Sequence, residues 1–251
     1  MSKKSENIGH QFMLQTRHKQ ISKSDQQKDI PPPAKYWDLE AEKIIELPAP
    51  DEFSAPELDL LQTIEKRRSH RNYTSKSLTK KEFSILTYYT QGLKRDLSGG
   101  ASLRTVPSAG ARHAFETFIY IDKGQDLPRG IYHYRPAEHN LALIKSGNFG
   151  PEVTRSALGQ NHVGEAAAVF FWAADKYRMC WRYSERGYRY LHLDAGHVCQ
   201  NLYLAAEAIN AGVCAIAAFD DEYTNELLDL DGRENFVIYM ASVGSKENQD
   251  N

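Results

Sequence analysis

Cysteine is scarce, long apolar runs are missing and the charges nearly cancel. The three cysteines, Cys180, Cys199 and Cys214, are odd in number, widely spaced and without a CxxC pair. That argues against a disulfide framework or a zinc ribbon and fits a reducing, cytoplasmic setting. No apolar stretch approaches the roughly 18 residues of a membrane span, and the opening MSKKSENIGHQ lacks the apolar segment of a signal peptide, so a soluble intracellular protein with no membrane partner is expected. Lys and Arg number 31 against 33 Asp and Glu, a formal net charge of -2, whereas a dedicated nucleic-acid binder carries a basic excess. Walker and G-x-G-x-x-G phosphate loops, a G-x-S-x-G elbow and an HExxH motif are all missing. His192 and His197 are five apart and face different sides of a helix, so no metal site is expected.

What is present is an ordinary globular composition, 41% hydrophobic and 25% charged over 251 residues, enough for a developed core. Residues 1–55 are polar and rich in proline (Pro31, Pro32, Pro33, Pro48, Pro50). They read as an extended, partly disordered arm with little core of its own, followed by one domain over 56–251. Leu58, Leu61 and Ile64 recur at three-residue steps and predict a helix. Thr79 with Glu82 has the spacing of a capping box and opens a second helix that Gly92 would stop. GIYHYRPAEHNLALIKSG reads as a hairpin turning around 136–140, and EAAAVFFWAAD as a central strand covered on both faces. Tyr188, Leu191, Ala195, Val198, Leu202, Ala205 and Ile209 mark a long, largely buried helix, with Gly212 as its stop. Strand VCAIAAF, helix DEYTNELLDLDG and strand NFVIYMASVG follow. The class is α+β (mixed α/β), with one mixed sheet flanked by helices.

Three stretches carry candidate chemistry. In EKRRSHRNYTSKS, Arg67, Ser69 and Arg71 alternate on one turn; this is either a solvated charged turn or a compact phosphate cradle. In RTVPSAG, Pro107 stiffens a backbone whose Ser108, Ala109 and Gly110 are small, which suits either an ordinary loop or close approach of a flat ligand. In RMCWRYSERGYRY, four arginines alternate with Trp181, Tyr183, Tyr188 and Tyr190, a composition of planar or anionic ligand sites and equally of protein interfaces. On the long helix, Tyr190, Asp194, His197 and Asn201 form a polar line, read as a seam between subunits or, for His197, as a proton-transfer group.

RRSHRNYTSKSLTKKEFSILTYYTQG, RTVPSAGARHAFETFIYI, GIYHYRPAEHNL, ERGYRYLHLDAGHVCQNLYLAAEA, AAFDDEYTNELLDLDG and ASVG, in that order, resemble the SagB-type dehydrogenases of the FMN-dependent nitroreductase superfamily. The likeness covers about residues 56–245. It implies a nitroreductase-like fold and a homodimer with two FMN sites at its interface. The long helix from about 187 to 210 would form much of that interface, where Gly196 would permit close packing. By the same resemblance, Arg67, Ser69 and Arg71, helped by Arg68, grip the FMN phosphate. Pro107, Ser108, Ala109 and Gly110 reach over the flavin from the partner, Ala217 and Ala218 offer main-chain donors near flavin N5, and Gln160 gives a polar contact. Arg104 would stabilise reduced flavin, and Lys246 is what remains of a C-terminal arm. Where azoline-oxidising members carry a Lys-Tyr pair, this sequence has Arg182 and Tyr183, and arginine rarely surrenders a proton. The expectation is an FMN-dependent oxidoreductase that takes hydride from NADH or NADPH and passes it to a small-molecule acceptor. The alternatives are azoline oxidation in a modified peptide and a flavin- or partner-binding module without turnover.

Overall fold

A computed structural model describes residues 7–50, 52 and 58–247; the expected domain start at residue 56 lies outside them. The strands are β1 (Lys43–Glu46), β2 (Leu93–Asp96), β3 (Ser102–Arg104), β4 (Phe115–Ile121), β5 (Gly130–Arg135), β6 (Asn140–Ser146), β7 (Ala168–Asp175), β8 (Ala211–Ile216) and β9 (Asn235–Ser245). The helices are α1 (Ile8–Gln15), α2 (Leu60–Lys66), α3 (Lys80–Gln91), α4 (Gly150–Ser156), α5 (Asn161–Glu165), α6 (Lys176–Tyr183), α7 (Gly187–Glu207) and α8 (Asp221–Leu227). None of them, among the described residues, is long and apolar enough to cross a membrane.

Seven strands form one sheet in the order β1-β6-β5-β4-β7-β9-β8, and β2 with β3 makes a separate hairpin. Every strand pair in the large sheet is antiparallel, so the mixed sheet expected from the sequence is corrected. The crossover through α7 does join two strands of the same direction, β7 and β8, but β9 inserts between them. Parallel pairing is confined to two isolated bridges, Ser69 with Val213 and Leu78 with Gly124.

β7 is apolar throughout because both of its faces are covered. Phe170, Trp172 and Ala174 enter the core beneath α3 and α7, alongside Phe83, Leu86, Leu191 and Leu202. Val169, Phe171 and Ala173 enter the opposite core with Val153, Val163 and Leu228. This is the two-residue period of a strand buried on both sides. Each fully buried phenylalanine contributes about 1.5–3 kcal/mol relative to exposure. α3 begins as its sequence predicts: Thr79 Oγ1 accepts from Glu82 N, and Glu82 Oε2 accepts from Thr79 N. α7 ends at Glu207 rather than at Gly212, which lies inside β8; the chain reverses at Asn210, with φ 52°.

The arm is tied to the body. β1 adds an edge strand against β6, and Trp37 Nε1 donates to Asp175 at 3.0 Å. Arg178, fully buried and ion-paired with Glu116, donates through Nε to the carbonyl of Ala34 at 2.9 Å. Two surfaces stay bare. On α2 the expected apolar face, Leu58, Leu61 and Ile64, is exposed, Leu61 by 75%. On α7, Leu193 is 60% exposed and a Cβ placed on Gly196 would meet nothing within 4 Å.

Candidate cofactor and active site

α2 ends at Lys66, and Arg67 turns the backbone out of the helix with ψ 126°. The segment that follows lies flat on the edge of the sheet: His70 N donates to Val213 O at 2.8 Å and Thr74 N to Ser245 O at 3.0 Å. Two glycines that face each other across β8 and β9, Gly212 and Gly244, make this approach possible. A Cβ on Gly212 would come within 2.6 Å of His70 Cβ, and one on Gly244 within 2.7 Å of the Tyr73 ring. Tyr73 pins the turn from beneath, donating to His70 O at 2.8 Å. Tyr203 of α7 pins it from the side: its hydroxyl accepts from Ala215 N at 2.9 Å and meets Ser69 Oγ at 2.9 Å, while the Arg67 guanidinium lies 5.1 Å over its ring.

The turn is rich in uncompensated charge. Among the described residues no carboxylate lies within ion-pair distance of Arg67, Arg68 or Arg71. Lys246, by contrast, is bound to Glu207 at 2.6 Å. The effect reaches the neighbouring histidines. Burial first, then the charges of Lys246 and Arg68, hold the His70 pKa below its ordinary value. Burial and then Arg71 do the same for His162 of α5, whose Nε2 is enclosed without a hydrogen-bond partner. Clustered cations and a hydroxyl on one turn are a donor set suited to a phosphate dianion, through charge-assisted bonds.

β8 leads away from this cradle. Beyond its last residue come Ala217 and Ala218, both exposed residues, and Gln160 Nε2 donates to Ala218 O at 2.9 Å. Val213 to Ala217 is four residues of strand, about 13 Å. A cation cluster at one end and exposed small residues at the other suit a long ligand with a terminal phosphate.

The second sequence cluster gathers elsewhere. Asp194, buried on α7, accepts from Ser108 Oγ at 2.6 Å and from Ala109 N at 3.2 Å. Burial raises its pKa, against the pull of those two donors. Asn201 Nδ2 donates to Tyr89 O at 2.9 Å. Asp194 and Asn201, expected as a seam between subunits, thus bond within their own chain, Asp194 to loop 108–109 and Asn201 to α3 and Thr105 O, while His197 is exposed. Gly110 has φ 58°, and a Cβ there would come within 2.7 Å of Arg182 Nε and collide with the Tyr183 hydroxyl. The small-residue loop 107–110 and the pair Arg182 and Tyr183 therefore share one corner. Asp194 and Tyr203 are nine residues apart on α7, about 13 Å of helix rise, so in a single chain this corner and the phosphate cradle stand apart.

Arg104 belongs to neither group. It is 7% exposed, donates to Gln91 Oε1 at 3.2 Å and lies 5.6 Å over the Tyr36 ring, an interior position within this chain. Tyr203 and His162, by contrast, were not singled out by sequence reasoning. Tyr203 sits within the apolar run of α7, and His162 carries no motif.

The pattern that defines the nitroreductase family matches residues 64–245. A protein of Methanocaldococcus jannaschii with a nitroreductase designation is 32% identical over 190 residues, 76% of this chain and 92% of that one. A crystal structure from Anabaena variabilis with the same designation is 34% identical with a TM-score of 0.67, covering 83% of this chain and 44% of that one. The microcin B17-processing protein of Escherichia coli is 26% identical over 157 residues, 58% of this chain and 55% of its own length. A match running from α2 to the last residue of β9 makes this chain a member of the nitroreductase family.

Proposed function

We propose that the protein is an FMN-dependent oxidoreductase that works as a homodimer in the cytoplasm, taking hydride from NADH or NADPH and delivering it to a small-molecule acceptor. The observation that carries this reading is the turn in which Arg67, Arg68 and Arg71 flank Ser69 with no carboxylate ion partner among the described residues. Bound FMN would supply the two-electron hydride chemistry. Arg67, Ser69 and Arg71 would bind its phosphate, with Arg68 adding positive potential, while the charge of Lys246 is offset by Glu207. The main chain of Ala217 and Ala218, the latter held by Gln160, would meet the ring end.

The homodimer is supported by the bare apolar face of α2 and by the open surface at Gly196. A second copy covering α7 would bring Pro107, Ser108, Ala109 and Gly110 of one protomer, with Arg182 and Tyr183 at its side, toward the cradle of the other. In that position the Tyr183 hydroxyl would carry a proton to or from the substrate, and Arg182, 5.6 Å over the Tyr183 ring, would stabilise negative charge without giving up its own proton.

A second reading is favoured by the similarity to the E. coli microcin-processing protein: oxidation of azoline rings in a modified peptide, with partner proteins supplying the substrate. The test is the absorbance of the purified protein after addition of FMN, followed by NADH or NADPH. Retained flavin that bleaches and recovers on addition of p-benzoquinone is expected; failure to retain FMN contradicts the proposal. Bleaching of the oxidised flavin by a thiazoline-containing peptide, whose ring gives up the two electrons, but not by NADH or NADPH selects the second reading.

A further inference from the structure

The stretch from Arg178 to Arg189 reads the main chain of the arm. Arg178 Nε donates to Ala34 O, Trp181 Nε1 to Ile30 O and Arg186 Nη1 to Thr16 O, each at 2.9 Å. Donors in ascending order take carbonyls in descending order, so the arm runs antiparallel to α6 and the start of α7. Between these contacts, Ser22 Oγ meets Ser184 Oγ at 3.2 Å. These three acceptors are backbone carbonyls; Asp25 and Thr16 add side-chain acceptors for Tyr177 and Arg189, and bonds from guanidinium groups are roughly twice as strong as neutral ones.

Arg186 makes two connections at once. While Nη1 holds Thr16, Nε donates to the Tyr190 hydroxyl at 2.9 Å. The Tyr190 ring stands edge-on to that of Tyr183, with centroids 4.7 Å apart at 73°. The Tyr183 hydroxyl in turn lies against Gly110, where no Cβ would fit. Contacts therefore run without a break from Thr16 to the small-residue loop.

We infer that Arg186 is a positioning residue and that the N-terminal arm is part of the substrate side of the site. The arm clamps Arg186, Arg186 fixes Tyr190, and Tyr190 holds the Tyr183 hydroxyl against loop 107–110. This rests on Tyr183 facing the substrate, as proposed above.

Hydrogen exchange of the full-length apoprotein tests the clamp without any activity. In Arg186→Met, amides of residues 13–30 and of loop 108–113 should both exchange about tenfold faster or more, the loss of a charge-assisted bond. In Tyr190→Phe the arm should stay protected and only the loop should loosen. Exposure of the arm with an unchanged loop in Arg186→Met overturns the inference. Should Arg186→Met fail to fold, Arg186→Lys keeps the charge but cannot hold Thr16 and Tyr190 together, and it is expected to loosen the loop equally.

With FMN bound, reoxidation by p-benzoquinone completes the test. Arg186→Met should slow it in the wild-type background and have little effect in a Tyr183→Phe background, whereas additive effects contradict a role acting through Tyr183. If Tyr183→Phe leaves both half-reactions unchanged, the reading of Tyr183 falls and the substrate-side role falls with it. The exchange result still decides whether the arm holds this corner.

Discussion

Tyr203 shows how much one hydroxyl organises here. It joins the helix that carries it to Ser69 on one side and to Ala215 N on the other, so the turn and β8 keep a fixed spacing. Tyr203→Phe keeps the ring under Arg67 but leaves Ala215 N and Ser69 without this partner, a loss of about 1–3 kcal/mol. FMN affinity should fall about tenfold, with unchanged circular dichroism; equal dissociation constants by fluorescence titration would remove Tyr203 from the site. The alternation of Arg67, Ser69 and Arg71 was legible because it is local and because Glu65 is the one acid in that stretch. Tyr203 was not, since an aromatic in an apolar stripe looks like any core residue. The surroundings of Arg104 were not legible for another reason: its neighbours in sequence belong to the RTVPSAG loop, while its neighbours in space, Tyr36 and Gln91, come from the arm and from α3.

Among the elements, those specified by local signals were readable. The Thr79 and Glu82 box, the β5 and β6 hairpin and the long α7 are all set by contacts within one stretch. α6 was not read as a helix because it has no clear apolar stripe; much of what covers it is the arm's polar main chain, so arginines stand where leucines would be expected. α7 carries the clearest consequence of exposure. Within one chain Gly196→Leu has open space, and on helix propensity alone it should stabilise by up to about 1 kcal/mol. If a partner packs closely there, the same change separates the protomers. We expect a monomer with an undiminished melting temperature and reduced flavin content; a dimer with full flavin by light scattering and absorbance would mean that Gly196 is not at a tight interface.

Across the whole molecule, buried histidines set a pH limit. Burial lowers the pKa of His70, His113, His139 and His162, and that of His113 reaches about 3, with Arg104 next in effect. Below the ordinary histidine pKa of about 6.5 the unfolded chain binds these protons and the folded chain does not, so stability is full above that pH and declines as pH falls. At pH 5.5 His113 alone accounts for about 1.4 kcal/mol. Glu116 enters later: burial pushes its carboxyl up, yet Arg178 and then His133 hold it at about 2, so its contribution is lost only below the ordinary carboxylate pKa. The apoprotein Tm should therefore drop between pH 7 and pH 5, less so in His113→Gln; a flat profile would contradict this. The antiparallel sheet also belongs to this scale. Local patterns announced a helical crossover from β7 to β8, but only the full chain shows β9 entering between them.

The central claim is that the turn after α2 holds the phosphate of FMN, and the most direct measurement compares FMN with riboflavin, the same ring without phosphate. Each charge-assisted bond to phosphate contributes about 1.5–3 kcal/mol, so two arginines correspond to about a hundredfold or more in affinity. Titration followed by flavin fluorescence should show wild-type protein preferring FMN over riboflavin by at least that factor, and Arg67→Ala/Arg71→Ala binding the two nearly alike while remaining folded. An undiminished preference for FMN in the double variant would contradict the account.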